Sequence, residues 1–318
     1  MSQQFKLINL EPDADGIHAI GPELWWREAW YFEFFDPASR IQFQAYQGVF
    51  PNVGKADLIF YIFKGGELFH RGMKMDYSIP NDIGAERLCF GPLKLDLIEP
   101  FQRWRLRYDS TQVQCDLTFD GLHAPFSWAE SKLWMEQAPV GEQSKHFDQM
   151  GHYHGWITLD GEEFEISALG MRDRMCGWGA RAQWRGYLII WSPFSPEFVT
   201  NIAVQNFADG RQQLCGYIHR GDDRAVLKSA HIEIVWSERR WKSIETVHAL
   251  ITDVLGNSSE IMARPMGIID TSHHWLHRTD HMLFSVAEYE CGGMKGYGVL
   301  NWSFMTADDR PSVITSSL

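Results

Sequence analysis

The feature that most constrains this chain is a period of two. From Trp104 to Tyr108 apolar and basic residues alternate, and Val113, Cys115, Leu117 and Phe119 then interleave with Gln112, Gln114, Asp116 and Thr118. Successive side chains of a strand point to opposite faces, so each run predicts a strand with one face on a core and one in water. The short linker Asp109-Ser110-Thr111-Gln112 makes the two an antiparallel hairpin. Similar runs flank Gly65-Gly66, Asp160-Gly161, Asp209-Gly210, Gly256-Asn257-Ser258 and Gly292-Gly293, which are turn signals. No long segment shows a sustained helical stripe at i, i+3, i+4, i+7. The sequence thus predicts an all-β protein, whose many strands must lose their edges by closing into barrels or pairing into sandwiches.

A length of 318 residues suggests two domains at about 100–200 residues each. The boundary is placed after the Gly/Arg-rich stretch from Gly170 to Gly186 and before Tyr187-Leu188-Ile189-Ile190-Trp191, giving domains 1–185 and 186–318. A net charge of −12 excludes nucleic-acid binding through a basic face. Apolar runs such as Leu58 to Phe63 fall well short of the roughly 18 residues that span a bilayer, so no transmembrane helix is expected. The N-terminus reaches Glu11, Asp13 and Asp15 without the apolar region of a secretory signal, which predicts a cytoplasmic protein. The 5 cysteines, Cys89, Cys115, Cys176, Cys215 and Cys291, are scattered and odd in number, as expected of reduced core residues. Trp 14, Phe 20 and Tyr 10 make the chain unusually aromatic, a supply that suits a core or a pocket for an apolar or cationic species.

One segment departs from the alternating texture. His146-Phe147-Asp148-Gln149-Met150-Gly151-His152-Tyr153-His154-Gly155 leads into a hairpin, and Gly170-Met171-Arg172-Asp173-Arg174-Met175-Cys176-Gly177-Trp178-Gly179-Ala180-Arg181 follows it. A carboxylate between two arginines, bounded by glycines, reads as a tight bend that aims particular side chains.

This order, His-x-x-Gln-x-Gly, strand, Asp-Gly, strand, Gly-x-Arg-Asp-Arg/His-x-x-Gly-x-Arg, resembles the lipocalin-like double-calycin proteins related to carotenoid 1,2-hydratase and the tocopherol-cyclase-like and AttH-like families. The matching residues are His146, Gln149, Gly151, Asp160, Gly161, Gly170, Arg172, Asp173, Arg174, Gly177, Trp178, Gly179 and Arg181. The opening Glu28-Ala29-Trp30-Tyr31-Phe32-Glu33-Phe34, with Gly48 and Pro51-Asn52, is similar to bacterial members. The resemblance implies two packed calycin-type β-barrels with an apolar cavity near their interface. It also implies hydration, dehydration or cyclisation of an apolar terpenoid, steroid-like or polyketide-like substrate, without a cofactor. Such chemistry needs a proton donor in a dry cavity, aromatic faces toward a cation, and a base. The resemblance makes Asp173 the candidate acid and His146 the candidate base. Gln149, Trp178, Arg181, Trp25, Trp30, Trp184, Arg172 and His154 are the candidate substrate-binding residues.

Two readings of Asp173 stand side by side: a catalytic acid, or a structural ion-pair partner of Arg172, Arg174 or Arg181. Two readings of the whole protein do as well, an enzyme or a carrier for a hydrophobic small molecule, and a homo-oligomer is compatible with either. In the segment His273 to His281, His273/His277 and His277/His281 have i, i+4 spacing, but no HExxH accompanies them. A polar loop is expected there, and no metal site. Nucleotide and serine-hydrolase motifs are absent from the sequence.

Overall fold

The structure, a computed structural model, describes residues 10–79, 87–130, 145–177, 184–272 and 280–317. The described residues within Ile8–Ser127 and Gly141–Gly179 form one compact unit. Those within Ala180–Leu318, together with Trp128–Glu130, form another.

The first unit is a curled sheet of eleven strands. In chain order they are β1 (Arg27–Asp36), β2 (Ile41–Phe50), β3 (Lys55–Lys64), β4 (Glu67–Ser78), β5 (Arg87–Phe90), β6 (Leu93–Glu99), β7 (Arg103–Asp109), β8 (Val113–Gly121), β9 (Phe126–Ser127), β10 (Lys145–Leu159) and β11 (Glu162–Gly177). Laterally the order is β4-β3-β2-β1-β11-β10-β8-β7-β6-β5, with β9 paired to β10, and every pairing is antiparallel. The hairpins expected at Gly65-Gly66, 109–112 and Asp160-Gly161 are all formed. At the last, Asp160 and Gly161 both have positive φ, 47° and 88°, the left-handed pair that an Asp-Gly hairpin requires.

The second unit carries β12 (Trp184–Ser195), β13 (Phe198–Phe207), β14 (Gln212–Arg220), β15 (Asp223–Trp236), β16 (Ile244–Asp253), β17 (Ser258–Asp270), β18 (His281–Cys291), β19 (Met294–Phe304) and β20 (Val313–Ser317). Pairing of β14 with β15 closes the first eight of these into a barrel, and β20 adds to β15 outside the ring. Its interior is aliphatic, built on Ile190, Ile202, Leu214, Ile232, Val247 and Leu300. Arg224 and Glu130 form an ion pair that ties the 3-10 turn Trp128–Glu130 to this unit.

The Arg-Asp-Arg segment is not the tight bend its glycines suggest. Gly170 to Gly177 is regular strand, the end of β11, paired on one side with β1 and on the other with β10. Gly170 serves close packing: a Cβ there would stand 2.5 Å from the Glu33 carbonyl oxygen and 2.6 Å from Phe34 Cβ. Because the segment is extended, Arg172 and Arg174 point to one face and Asp173 to the other. The arginine face belongs to the aromatic core of Trp30, Phe32, Phe34, Phe43, Phe60, Trp104 and Phe119.

Arg172 is fully buried there, so its charge must be matched. Nη1 and Nη2 donate to the two carboxylate oxygens of buried Asp15 at 2.5 and 2.9 Å, and Nε donates to Gln149 Oε1 at 2.8 Å. Asp15 also accepts from the Phe101 amide at 2.7 Å and from Trp104 Nε1 at 3.3 Å. Gln149 Nε2 donates to the carbonyls of Phe101 and His123 at 2.6 and 2.8 Å. The network fastens the 3-10 turn Pro12–Asp15 and the β6–β7 connection to the middle of the sheet. Arg172→Met would leave Asp15 buried without its counter-charge, and about 3–5 kcal/mol of stability should be lost. Chemical denaturation checks this, since loss below about 1 kcal/mol would show that the pair is not needed.

Candidate functional site

The strand that anchors the core also builds a second, polar surface. Strand β1 is buried on both faces, and its outward residues Tyr31 and Glu33 lie level with Asp173 and Met171 of β11. Asp173 in turn faces Asp148 of β10, and Tyr46 and Gln44 of β2 continue the same two rows. Hydrogen-bonded register therefore brings Asp148, Asp173, Tyr31, Glu33 and Gln44 onto one face of one sheet.

At one end of this patch His146 Nε2 bonds Asp173 Oδ2 and lies 3.8 Å from Asp148 Oδ1. All three side chains are largely enclosed, with exposures of 11, 18 and 3% for His146, Asp173 and Asp148. Asp148 and Asp173 are directly opposed carboxylates, which repel, and the His146 imidazole hydrogen-bonds one of them. At the other end Tyr31 donates its hydroxyl to Glu33 Oε2, and Gln44 Nε2 donates to the Tyr31 oxygen at 3.2 Å. Glu33 is 1% exposed, and burial holds its carboxyl well above the usual range. Further across the face, Asp57 is fully buried; burial pushes its carboxyl up to about 7, with Asp76 adding to the rise and Arg27 opposing it.

The opposite, core-side face carries a separate cluster near the end of β11. Arg174 donates to Glu28 and to the Gly16 carbonyl, and its guanidinium stacks 4.1 Å from the Trp30 ring centre. His18 Nδ1 lies 3.2 Å from Glu28 Oε2. Burial disfavours the charged imidazole, but Cys176 and Glu28 outweigh it and raise His18 to about 9. Burial likewise works against the Glu28 carboxylate, yet His18 and Arg174 bring it below its ordinary value.

Among the described residues, two sets have one metal-ligating atom each within 4.8 Å of one another: His18, Glu28 and Cys176, and His146, Asp148 and Asp173. Both offer donor types that zinc accepts. In the first, Arg174 bonds the same carboxylate and lies 3.2 Å from His18 Nδ1, so a fixed positive charge opposes a cation there. In the second, the His146 nitrogen and an Asp173 oxygen are bonded to each other.

The sequence-derived site residues divide between these environments. His146 and Asp173 meet. Arg172, Gln149 and Trp30 lie on the core side, and the Trp30 ring nitrogen donates to the Asp15 carbonyl at 3.3 Å. Trp25 is half-buried, edge-on to Phe50 with ring centres 6.0 Å apart. His154 is exposed, bonds Asp120 at 2.9 Å, and sits eight residues along β10 from His146, about 26 Å in an extended strand. Trp178, Arg181 and residues 273–279 lie outside the described residues, as does the side chain of Trp184. Sequence reasoning missed Tyr31, Glu33, Gln44, Asp57 and Asp148. The available signal was in β2, where Gln42 and Gln44 alternate with Ile41, Phe43 and Ala45; β1 and β3 show no such alternation of polar residues.

The direction of the Asp57 shift fixes a pH effect. A carboxyl raised in the folded state binds more protons folded than unfolded, so stability falls as pH rises from about 4 to about 7. Asp57→Asn removes that penalty; it should be more stable than the parent at pH 8 and similar at pH 4. Thermal melts across this range check it, and an unchanged pH slope would show that Asp57 is ionised in the fold.

Three comparisons place this architecture among known proteins. An AttH-assigned protein from Nitrosomonas europaea superposes with a TM-score of 0.70 at 13% identity, covering 95% of this chain and 98% of its own. Kievitone hydratase from Nectria haematococca gives 0.62 at 13% identity, with 96% of each chain covered. CghA, crystallised with Sch210972, gives 0.59 at 11% identity, covering 96% of this chain and 98% of its own. At these identities the likeness is one of fold, and it is the lipocalin-like double-barrel fold the motif implied. No curated protein matches the sequence. The sequence pattern of DUF7064, a domain of unknown function, matches residues 11–306, and the chain belongs to that family.

Proposed function

We propose that this protein is an acid–base enzyme that adds or removes water from, or cyclises, an apolar terpenoid, steroid-like or polyketide-like molecule, with His146 and Asp173 as its proton-transfer pair. The observation that carries the reading is their bonded, enclosed contact on the polar face of the sheet, beside a second buried carboxylate, Asp148. An imidazole held in one orientation by a carboxylate is the usual form of a general base. Enclosure keeps bulk water from intercepting a cationic intermediate. Kievitone hydratase, by its name a water-adding enzyme, uses the same fold, and this supports the reaction class. The proposed chemistry draws on protein side chains alone.

The flanking arginines bear on the competing structural role of Asp173. Arg172 and Arg174 turn to the opposite face, where they meet Asp15 and Glu28. Asp173 has His146 instead, a partner that can change its charge.

The test is incubation of the purified protein with apolar extracts, followed by mass spectrometry. A new product, shifted by the mass of water or isomeric with its precursor, supports the enzyme; recovery of an unaltered bound compound supports the carrier. Asp173→Asn should lower turnover about 10²-fold or more while folding survives. A destabilised but fully active variant would remove Asp173 from the mechanism. Activity should also persist after chelation, and its loss with stoichiometric zinc would move the chemistry to a metal.

A further inference from the structure

Acid-catalysed addition needs two groups, one to give a proton and one to take a proton from the attacking water, and the His146–Asp173 pair occupies only one place on the face. We propose that Glu33, rather than Asp173 as the resemblance implies, is the proton donor of that reaction, with Asp173 holding His146, and that Tyr31 is the positioning residue that fixes the Glu33 carboxyl group. This inference rests on the acid–base reading above.

The geometry singles out Glu33. Its neighbours within hydrogen-bonding reach are neutral: Tyr31 donates to Oε2, and Gln44 donates to Tyr31. The described arginines of β11 point away, to the core side. With 1% exposure and no cation bonded to it among the described residues, a carboxylate would be costly, and the neutral acid is the form this site favours. Tyr31 occupies one oxygen. The other, Oε1, is buried with no hydrogen-bond partner among the described residues. That oxygen is the one left to carry a transferable proton. Glu33 is the diagonal neighbour of Asp173 across β1 and β11, about 7–8 Å between Cα atoms, with Tyr31 level with Asp173. Glu33 and Asp173 thus stand on adjacent strands of a single sheet, the arrangement that preserves catalytic geometry.

In a hydration the step balances as follows. The Glu33 O–H bond breaks as a C–H bond forms to one alkene carbon and the π bond opens. Water oxygen bonds to the cationic neighbour carbon, and its proton passes to His146. Solvent then reprotonates Glu33 and discharges His146, so no oxidant or reductant is consumed. Dehydration is the reverse.

Two measurements on the full chain test this. In infrared difference spectra at pH 7, wild type minus Glu33→Gln should show a protonated carboxyl band that shifts in deuterium oxide and again in Tyr31→Phe. For any compound converted in the extract screen, Glu33→Gln should lower kcat about 10²-fold or more with KM little changed, and Tyr31→Phe should lower it less. A missing carboxyl band, or wild-type kcat in folded Glu33→Gln, overturns the proposal while leaving the His146–Asp173 reading intact. If the wild type converts nothing, that reading fails and the catalytic role of Glu33 falls with it, whatever the band shows. Should Glu33→Gln not fold, an unshifted band and unchanged kcat in Tyr31→Phe would overturn the assignment equally.

Discussion

The buried pairing of Arg172 with Asp15 is the interaction on which the rest of the first unit depends. A guanidinium in an aromatic core is tolerable only if nearly all its donors are used and its charge is matched. Asp15 and Gln149 do this, and in doing so they recruit the 3-10 turn before β1 and the loop between β6 and β7. Arg174 repeats the device one turn of the pleat away, with Glu28, the Gly16 carbonyl and the face of Trp30. Two arginines thus sew the segment ahead of β1 onto β11, and the strand cannot slip by one residue without exchanging both with Asp173.

That alternation has an electrostatic consequence on the other side of the sheet. With the arginine charges committed to the core face, the carboxyl groups of the polar face receive little cationic support. His146 hydrogen-bonds Asp173, and Arg27 only partly opposes the rise at Asp57. Glu33 and Asp57 respond as buried acids do, by retaining protons to higher pH. The perturbed acids and the stabilising ion pairs are therefore two outcomes of one strand's register, and the same residues explain why this face, rather than the arginine face, is suited to proton transfer.

Much of the fold was legible because hairpins are local. The alternation at Trp104 to Phe119 and the Asp-Gly turn at 160–161 specify strand, partner and register within a few residues. Closure of the second barrel through β14 and β15 follows from the same rule, since an antiparallel array must dispose of its edges. The Gly170–Gly177 segment was misread because glycine density signals a turn, whereas here Gly170 admits the neighbouring backbone and Tyr153 at close range. The site was legible only in part. His146 and Asp173 stand out as polar residues in a motif, but Tyr31 and Glu33 lie in a strand whose alternation looks like aromatic core. Nothing local shows that its second face is buried, and the partnership of Asp15 with Arg172 spans 157 residues.

The apolar substrate proposed above conflicts, at first sight, with a face holding Glu33, Asp57, Asp148 and Asp173. Four ionised carboxylates would hold water tightly and repel one another, and a hydrocarbon would have to displace that water. Protonation removes the conflict. With burial raising the Glu33 and Asp57 carboxyls, the face keeps its hydrogen-bonding groups while shedding part of its charge. In the proposed reaction a surface of that kind would accept an apolar skeleton and still offer a proton at one point and a base at another. The burial that raises Glu33 and Asp57 would thereby let one surface serve both binding and chemistry.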